Sequence, residues 1–443
     1  MRLSGSLLVV LLYGSCSLSF AQYRYDFVVV PTSSDLNVNV TLQAFTDGTL
    51  IGNYDPTTNP GGTRTKPGLH PFGFAGNHPV PVQINPLVQG NVQSQPVGTF
   101  SMVFHPAANQ IILLGLASDL LPSRTVSLPA NATLVFDTFT TRSPTSTYPG
   151  GSYPVPLGDI AVRSLTIMQT DEPAVGTLTP LGGNRYAFAV APMVRLYVYA
   201  DLQGTVLETT SNPNPLMLSG EVEILGDSAR VLSANAIDWS DVDTPGEPIP
   251  QFAMDLPTIL PPGGVAHLLF NLTLNEVRSG VRGTFTISAD GVISRRTVSG
   301  TVVLGDYSPS PAGLNVPIEV RPAGESTPLE VHVVALDDGG GYQFQTALWG
   351  TFDLSAKGTH WLRQTVRGIS LENSTQVAFT LVNGDVDGDN EVTLFDFGHV
   401  VAAFGSMPGE SRWNPDADLD GDEEVTLFDF GILVRNFGAT GDE

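Results

Sequence analysis

The chain has 443 residues, with 20 Lys+Arg against 44 Asp+Glu and a formal net charge of −24. That balance excludes a basic face for nucleic acid or for an anionic membrane surface. The single cysteine, Cys16, lies in the leader described next, so the mature chain has neither a disulfide framework nor a cysteine nucleophile.

Residues 1–21 read as a secretory signal peptide. Arg2 supplies the positive end, Leu7–Tyr13 the apolar run and Ser19-Phe20-Ala21 the small-x-small cleavage site. Tyr13, Leu18 and Phe20 around Cys16 argue against a lipoprotein signal. No later run approaches the ~20 apolar residues of a membrane span. The expected location is therefore secreted, extracellular or cell-surface associated, with no transmembrane segment.

The region 22–383 is rich in Gly, Pro, Thr, Ser and Val, with short alternating apolar runs between turn clusters. Such runs include Tyr25–Val30, Val38–Leu42, Phe100–Phe104, Arg185–Val190, Val194–Tyr199, Ala266–Leu274 and Thr284–Ile287. Alternation broken by turn residues predicts antiparallel β-sheet. The expected class is mainly β: tandem antiparallel β-sandwich domains, followed by a small α-helical domain with paired calcium loops. The expected divisions are a β-sandwich over 22–150, one or two more over 151–308, a small sandwich over 309–383, the helical domain over 384–438 and a disordered tail over 439–443. The stretch Asp55–Pro81 reads as a long loop anchored by Phe72 and Phe74, and Asp238–Pro250 as an acidic, proline-rich linker.

The unit 309–383 opens at SPSPAG and carries the strands Val316–Arg321, Leu329–Ala335, Tyr342–Ala347, Gly350–Ala356 and Val377–Leu381, with Trp349 and Trp361 as core anchors. Its pattern, with the stretch GTFDLSAKGTHWLRQTV, resembles the small sandwiches of the transthyretin-like and carboxypeptidase regulatory-like families. That resemblance implies a spacer or stalk and carries no catalytic residues.

The tail repeats one pattern, DVDGDNEVTLFD at Asp385–Asp396 and DLDGDEEVTLFD at Asp418–Asp429. It holds fifteen acids against two arginines over 384–443, more than half of the chain's net charge. Calcium takes six to eight oxygens, and a twelve-residue loop supplies them from positions 1, 3, 5, 7, 9 and 12. The expected metal ligands are Asp385, Asp387, Asp389, Glu391 (backbone), Thr393 and Asp396, then Asp418, Asp420, Asp422, Glu424 (backbone), Thr426 and Asp429, for two Ca2+ ions. Shifting each frame back two residues gains a glycine at position 6 but loses the closing carboxylate and the apolar Val392 and Val425 at position 8. The chosen frame places Asn390 and Glu423 at position 6, where a left-handed backbone is needed. Glu423 is the poorer fit, so the second loop is expected to be distorted or to bind more weakly.

Each loop leads into an apolar helix. Leu394, Phe397, Val401 and Phe404 share a helical spacing, as do Leu427, Phe430, Val434 and Phe437, and these stripes are expected to pair. Gly405 and Gly438 read as helix stops, and Gly398 and Gly431 as sites of close approach. The duplicated loop-helix unit, with the intervening WNPDADLDGD, resembles the type I dockerin family over residues 384–438. Dockerins dock calcium-dependently into cohesin modules. The resemblance implies a cohesin-like or other exported protein as partner. In that family loop positions 10 and 11 contact the partner and are often small hydroxyls. Here they are Leu394–Phe395 and Leu427–Phe428, which either form an unusual docking surface or pack inward or against the preceding domain.

No GxSxG elbow or HExxH zinc motif is present. His70 and His78 form no tight ligand pair. The acids Glu221–Glu223, Asp238–Asp241 and Glu325–Glu330 are available for sugar hydrolysis, but their surroundings mark none as a proton donor. Exposed aromatics for carbohydrate would be sought among Tyr148, Tyr153 and Tyr186, with Tyr197 and Tyr199 assigned to the core. The leading expectation is a secreted, non-catalytic surface or matrix protein with a docking tail. The rival is a polysaccharide-acting glycoside hydrolase, or a carbohydrate-binding protein, with the same tail.

Overall fold

The computed structural model describes residues 22–71, 73–170, 173–202 and 205–443. Residues 1–21, expected to be a signal peptide, and Phe72 lie outside the described residues. The described residues form two compact units: 26–102 with 111–292, and 22–25 with 103–110 and 293–443.

The first unit is built on a 16-stranded, mostly antiparallel sheet. From Gln110–Asp119 the sheet runs through Ala174–Gly182, Arg185–Val190, Leu218–Leu225, Ser228–Asp243 and Val265–Ile293. It continues through Asp35–Gly52, Val80–Ser94, Val126–Phe136 and Gly151–Gln169. That last strand pairs back onto Gln110–Asp119, with Ile167 opposite Ser118, so the path closes into a ring. Closure removes two free edges, which alternating strands would otherwise expose to other chains.

One sheet therefore holds residues from both sides of the expected division at 150/151. Asp35–Gly52 pairs along its length with Val265–Ile293, from Asp35–Thr286 to Gly52–Leu268. Local patterning cannot reveal such a pairing, because its partners lie more than two hundred residues apart. The acidic stretch at 238–250 is not a linker. It forms the end of Ser228–Asp243 and the start of Glu247–Pro257, and both strands pair with Val265–Ile293. Its acids face outward, Asp238 onto Arg282 at 2.8 Å, while Ile237 and Trp239 alternate to the other side.

One core cluster gathers Leu50, Val80, Ile84, Phe136, Leu268 and Phe270. Tyr148 is part of it, stacked on Phe139 at 4.5 Å, and burial pushes its hydroxyl up to about 12. Tyr153 is half-buried on Phe136. Tyr197, expected inside, is 39% exposed. Val194, Leu196 and Val198 take the inner face of its strand, and Tyr197 falls on the other with Arg195 and Asp201. Within Asp55–Pro81 a short strand, Arg64–Pro67, pairs with Phe139–Arg142, and Phe74 is buried as an anchor.

The second unit contains two four-stranded sheets. In one, Arg296–Leu304 pairs with Gly341–Thr346, Thr375–Gln376 and Phe379–Leu381. In the other, the order is Glu330–Ala335, Asn315–Pro322, Thr351–Ala356 and Gln364–Ser370. Val298, Val302, Ile318, Val320, Leu354 and Phe379 belong to one core cluster. Arg296–Leu304 belongs to this fold, so an expected start at 309 cuts off a central strand. Trp361 is a core anchor, whereas Trp349 is only half-buried and the neighbouring Leu348 fills the core.

The same unit ends in two helices, α1 (Leu394–Ala403) and α2 (Leu427–Asn436). Gly405 and Gly438 end them at φ 72° and 84°, the left-handed stop that glycine adopts freely. Residues 439–443, expected to be disordered, are tied down. Val392 N–H donates to Ala439 O (2.9 Å), Gly441 N–H to Asn390 O (2.9 Å) and Asp442 N–H to Arg363 O (2.9 Å). Arg321 Nη1 holds Glu443 O at 2.7 Å. These bonds, three of them backbone to backbone, reach distant segments, which composition does not reveal. Among the described residues, no helix is long and apolar enough to cross a membrane.

Candidate functional site

The two acidic loops share most of their hydrogen bonds, and the second adds two, from Gly421 N–H (2.9 Å) and Asp422 N–H (3.2 Å) to Asp418 Oδ1. Asp396 and Asp429 occupy the third position of each helix and form a capping box with Thr393 and Thr426. Asp396 Oδ1 accepts N–H bonds from Val386 (2.6 Å) and Asp387 (3.1 Å), and Oδ2 accepts that of Thr393 (2.7 Å). Asp429 does the same with Leu419 (2.6 Å), Asp420 (3.1 Å) and Thr426 (2.7 Å). Asp385 accepts from Asn390 N–H (3.1 Å), and Asp418 from Glu423 N–H (2.9 Å). Asp389 and Asp422 each turn the chain by accepting the N–H two residues on.

The backbone agrees with the frame read from sequence. Asn390 and Glu423 are left-handed, at φ 74° and 68°. The expected distortion of the second loop is absent from the backbone, where it keeps the hydrogen bonds of the first. Glu423 takes the strained conformation instead.

Side-chain oxygens of Asp385, Asp387 and Asp396 lie within 4.8 Å of one another, as do those of Asp418, Asp420 and Asp422. Asp389 is outside the first group and Asp429 outside the second. Glu391 and Glu424 enter the prediction only through their carbonyls, and the Thr393 and Thr426 hydroxyls are held as helix caps. Asp385 is fully buried and its Oδ1 has no hydrogen-bond partner. An unpaired buried carboxylate oxygen is costly. Hard oxygen donors in such clusters suit a divalent cation of the calcium or magnesium kind.

The electrostatics point the same way. Burial, with the charges of Asp396, Asp389 and Asp385, holds the Asp387 carboxyl above the usual carboxylate range. Burial and neighbouring acids likewise raise Asp418 and Asp420. Each loop concentrates negative charge that a cation would relieve.

The preceding β-strand segments of the same unit brace both loops. Lys357 reaches over the first and pairs with Asp385. Asn383 Nδ2 donates to Leu419 O (2.7 Å) and to Gly305 O (3.0 Å). Ser308 N–H donates to Asp420 O (2.9 Å), and Arg363 N–H to Asn390 Oδ1 (2.8 Å). Neither Lys357 nor Asn383 belongs to a repeated motif, so spacing does not mark them as site residues.

The helix faces differ from expectation. Asp396, Val400 and Ala403 are buried in α1, and Asp429, Ile432 and Leu433 in α2. The expected stripe is largely solvent-facing: Leu394 is 71% exposed, Val401 51%, Leu427 72% and Val434 53%. From the expected stripes, Phe397 and Phe430 meet across the pair, edge to face at 5.5 Å. The reason lies in the loops. Each closing aspartate is pinned inward by three N–H bonds, so Val400 and Ala403, four and seven residues after Asp396, and Ile432 and Leu433, three and four after Asp429, turn inward with it. Gly398 and Gly431 face open space rather than a neighbouring helix. Phe395 and Phe428 are 73% and 74% exposed. The inward-packing alternative for the four candidates is thereby removed.

The acids considered for hydrolysis lie elsewhere. Glu221 pairs with Arg185 and Asp238 with Arg282, all exposed. Burial acts to raise Glu330, but hydrogen bonds from His332 and Thr346 outweigh it and hold the carboxyl below its usual range.

No known protein family matches the sequence. No curated protein matches it either. Two crystal structures of a type II cohesin–X-dockerin complex from Acetivibrio cellulolyticus, mutants of its C-terminal and N-terminal interfaces, show a weak likeness. Each is 19% identical, covers 33% of this chain and 97% of the other, and gives a TM-score of 0.28. The secretin GspD of the E. coli K12 type II secretion system matches 62% of this chain and 50% of its own at 10% identity, with a TM-score of 0.14. Scores this low carry no functional argument, and the reading that follows rests on the geometry of the two loops and helices.

Proposed function

We propose that this is a secreted or surface-associated, non-catalytic protein whose dockerin-like C-terminal module, loaded with two calcium ions, docks onto a cohesin-like or other exported protein. One observation carries the reading. Two loops, with a shared set of hydrogen bonds and three clustered aspartates apiece, each launch a helix whose first two residues, Leu394–Phe395 and Leu427–Phe428, stand 71–74% exposed. Exposed apolar patches of this kind mark interaction surfaces. Val401 and Val434 extend each patch along its helix, and Gly398 and Gly431 keep the stripe low between them.

Asp385, Asp387 and Asp396 would hold the first ion and Asp418, Asp420 and Asp422 the second. The other predicted oxygens, of Asp389, Glu391, Thr393, Glu424, Thr426 and Asp429, would complete the shells. A bound ion supplies positive charge that offsets the clustered carboxylates, and so fixes the angle at which each helix leaves its loop.

Calorimetry of the chain with calcium should show two equivalents bound. Asp385→Asn and Asp418→Asn should each remove one. In a pull-down of exported proteins, capture should be lost in chelator and in the double variant Phe395→Ser/Phe428→Ser. No calcium uptake, or capture indifferent to both chelator and the double variant, refutes the reading.

A further inference from the structure

The first unit holds a cavity of about 350 Å³ that the docking function does not use. Its floor is apolar and closed to water: Leu36, Val38, Leu128 and Phe285 are each under 5% exposed. The strand Met193–Leu202 adds Val194, Leu196 and Val198 to its wall. Alternation explains this wall, since every second residue of a strand faces one side. Residues at the rim are open to solvent, with Met217 63% exposed and Asp238 paired to Arg282. Protein interiors are otherwise close-packed, and a space this large and apolar is the usual form of a small-molecule site.

Polar groups in the wall are few, and one stands out. Trp239 lines the cavity, and its indole Nε1 is buried without a hydrogen-bond partner. Indole N–H is a donor only. By contrast, Ser211 is occupied, receiving Leu196 N–H at 3.0 Å and donating to Asn212 O at 2.8 Å. No lysine or arginine lines the space, and the acid at its rim is Asp238. An anionic head group would find no counter-charge there. At the ~30 Å³ that a water molecule occupies in the liquid, the volume corresponds to about a dozen water-sized groups.

From these features we propose that the first unit binds a neutral, elongated apolar molecule of about a dozen carbons, such as a ketone, ester or alcohol, whose one acceptor oxygen meets Trp239 Nε1. The cavity gives the length, the lining gives the apolarity, and the unpaired donor gives the head group.

The test uses the full chain and a neutral fluorescent probe, N-phenyl-1-naphthylamine, displaced by 2-undecanone or by undecanoate. The probe should bind saturably, one per chain, and the ketone should displace it at lower concentration than the carboxylate. Trp239→Phe should weaken the ketone about three- to ten-fold, one hydrogen bond's worth, and leave the probe unchanged. Val198→Trp should fill the cavity and abolish probe binding in a chain whose circular dichroism matches the parent. Absence of saturable one-to-one binding overturns the proposal. So does probe binding retained in folded Val198→Trp, which would place the probe on the exposed helix stripes. Equal displacement by the carboxylate, or an unchanged ketone affinity in Trp239→Phe, overturns the head-group assignment. Should Val198→Trp fail to fold, Trp239→Phe still decides.

Discussion

Glu423→Gly should stabilise the protein, and Asn390→Gly, at the same loop position, should not. Both residues are left-handed, at φ 68° and 74°. An L-residue with a Cβ loses about 1–2 kcal/mol there. Glycine does not, though its greater freedom in the unfolded chain takes back about 0.5–1 kcal/mol. The Glu423 side chain is exposed and nothing bonds to it, so only its backbone N–H, retained by glycine, matters to the loop. The net gain is about 0.5–1 kcal/mol. Asn390 differs in its side chain. Its Oδ1 accepts Arg363 N–H at 2.8 Å and its Nδ2 donates to Asp442 O at 2.9 Å. Losing two bonds of about 0.5–1.5 kcal/mol each outweighs the smaller strain of an asparagine, for a net loss of about 1–2 kcal/mol. Thermal unfolding in chelator, followed by helical circular dichroism, should move up by ~1–4 °C for Glu423→Gly and down for Asn390→Gly. Equal shifts of the same sign would show that side-chain bonding at position 6 is irrelevant and refute the reasoning.

Two further outcomes follow from the same unit. Lys357→Met strips the partner from fully buried Asp385, which should cost about 3 kcal/mol in chelator. In saturating calcium the ion would take over that role and the loss should shrink below about 1 kcal/mol; urea unfolding in the two buffers measures the difference, and equal losses would separate Lys357 from the ion site. The pH dependence in chelator has a definite sign. Asp387, Asp418 and Asp420 have raised carboxyl values in the folded state. The folded chain thus holds protons that the unfolded chain releases, so their favourable contribution is full below the unfolded aspartate value of about 4 and is lost as pH rises through their folded values. Calcium should abolish this decline. A decline that persists in calcium would assign it to other groups.

Much of the tail was legible in its own letters because its determinants are local. Asp385, Asp387 and Asp396, the left-handed Asn390 and Glu423, and the stops at Gly405 and Gly438 all follow from spacing within a dozen residues. Strand positions in the long β region were legible for the same reason, since alternation is a nearest-neighbour property. Which strands pair was not. Asp35–Gly52 lies on Val265–Ile293 because closing the sheet buries both, and no local pattern encodes a partner at that distance. The inward face of α1 was not settled by periodicity: the expected stripe through Leu394 and Val401 has a helical spacing, and so do Asp396, Val400 and Ala403. The three N–H bonds to Asp396 chose between them, burying Val400 and leaving Leu394 and Val401 to solvent. Sequence alone specified the loops, the helix ends and the alternating strands. Tertiary structure alone decided the ring of strands and the cavity beside Trp239, because both depend on surfaces meeting across the fold.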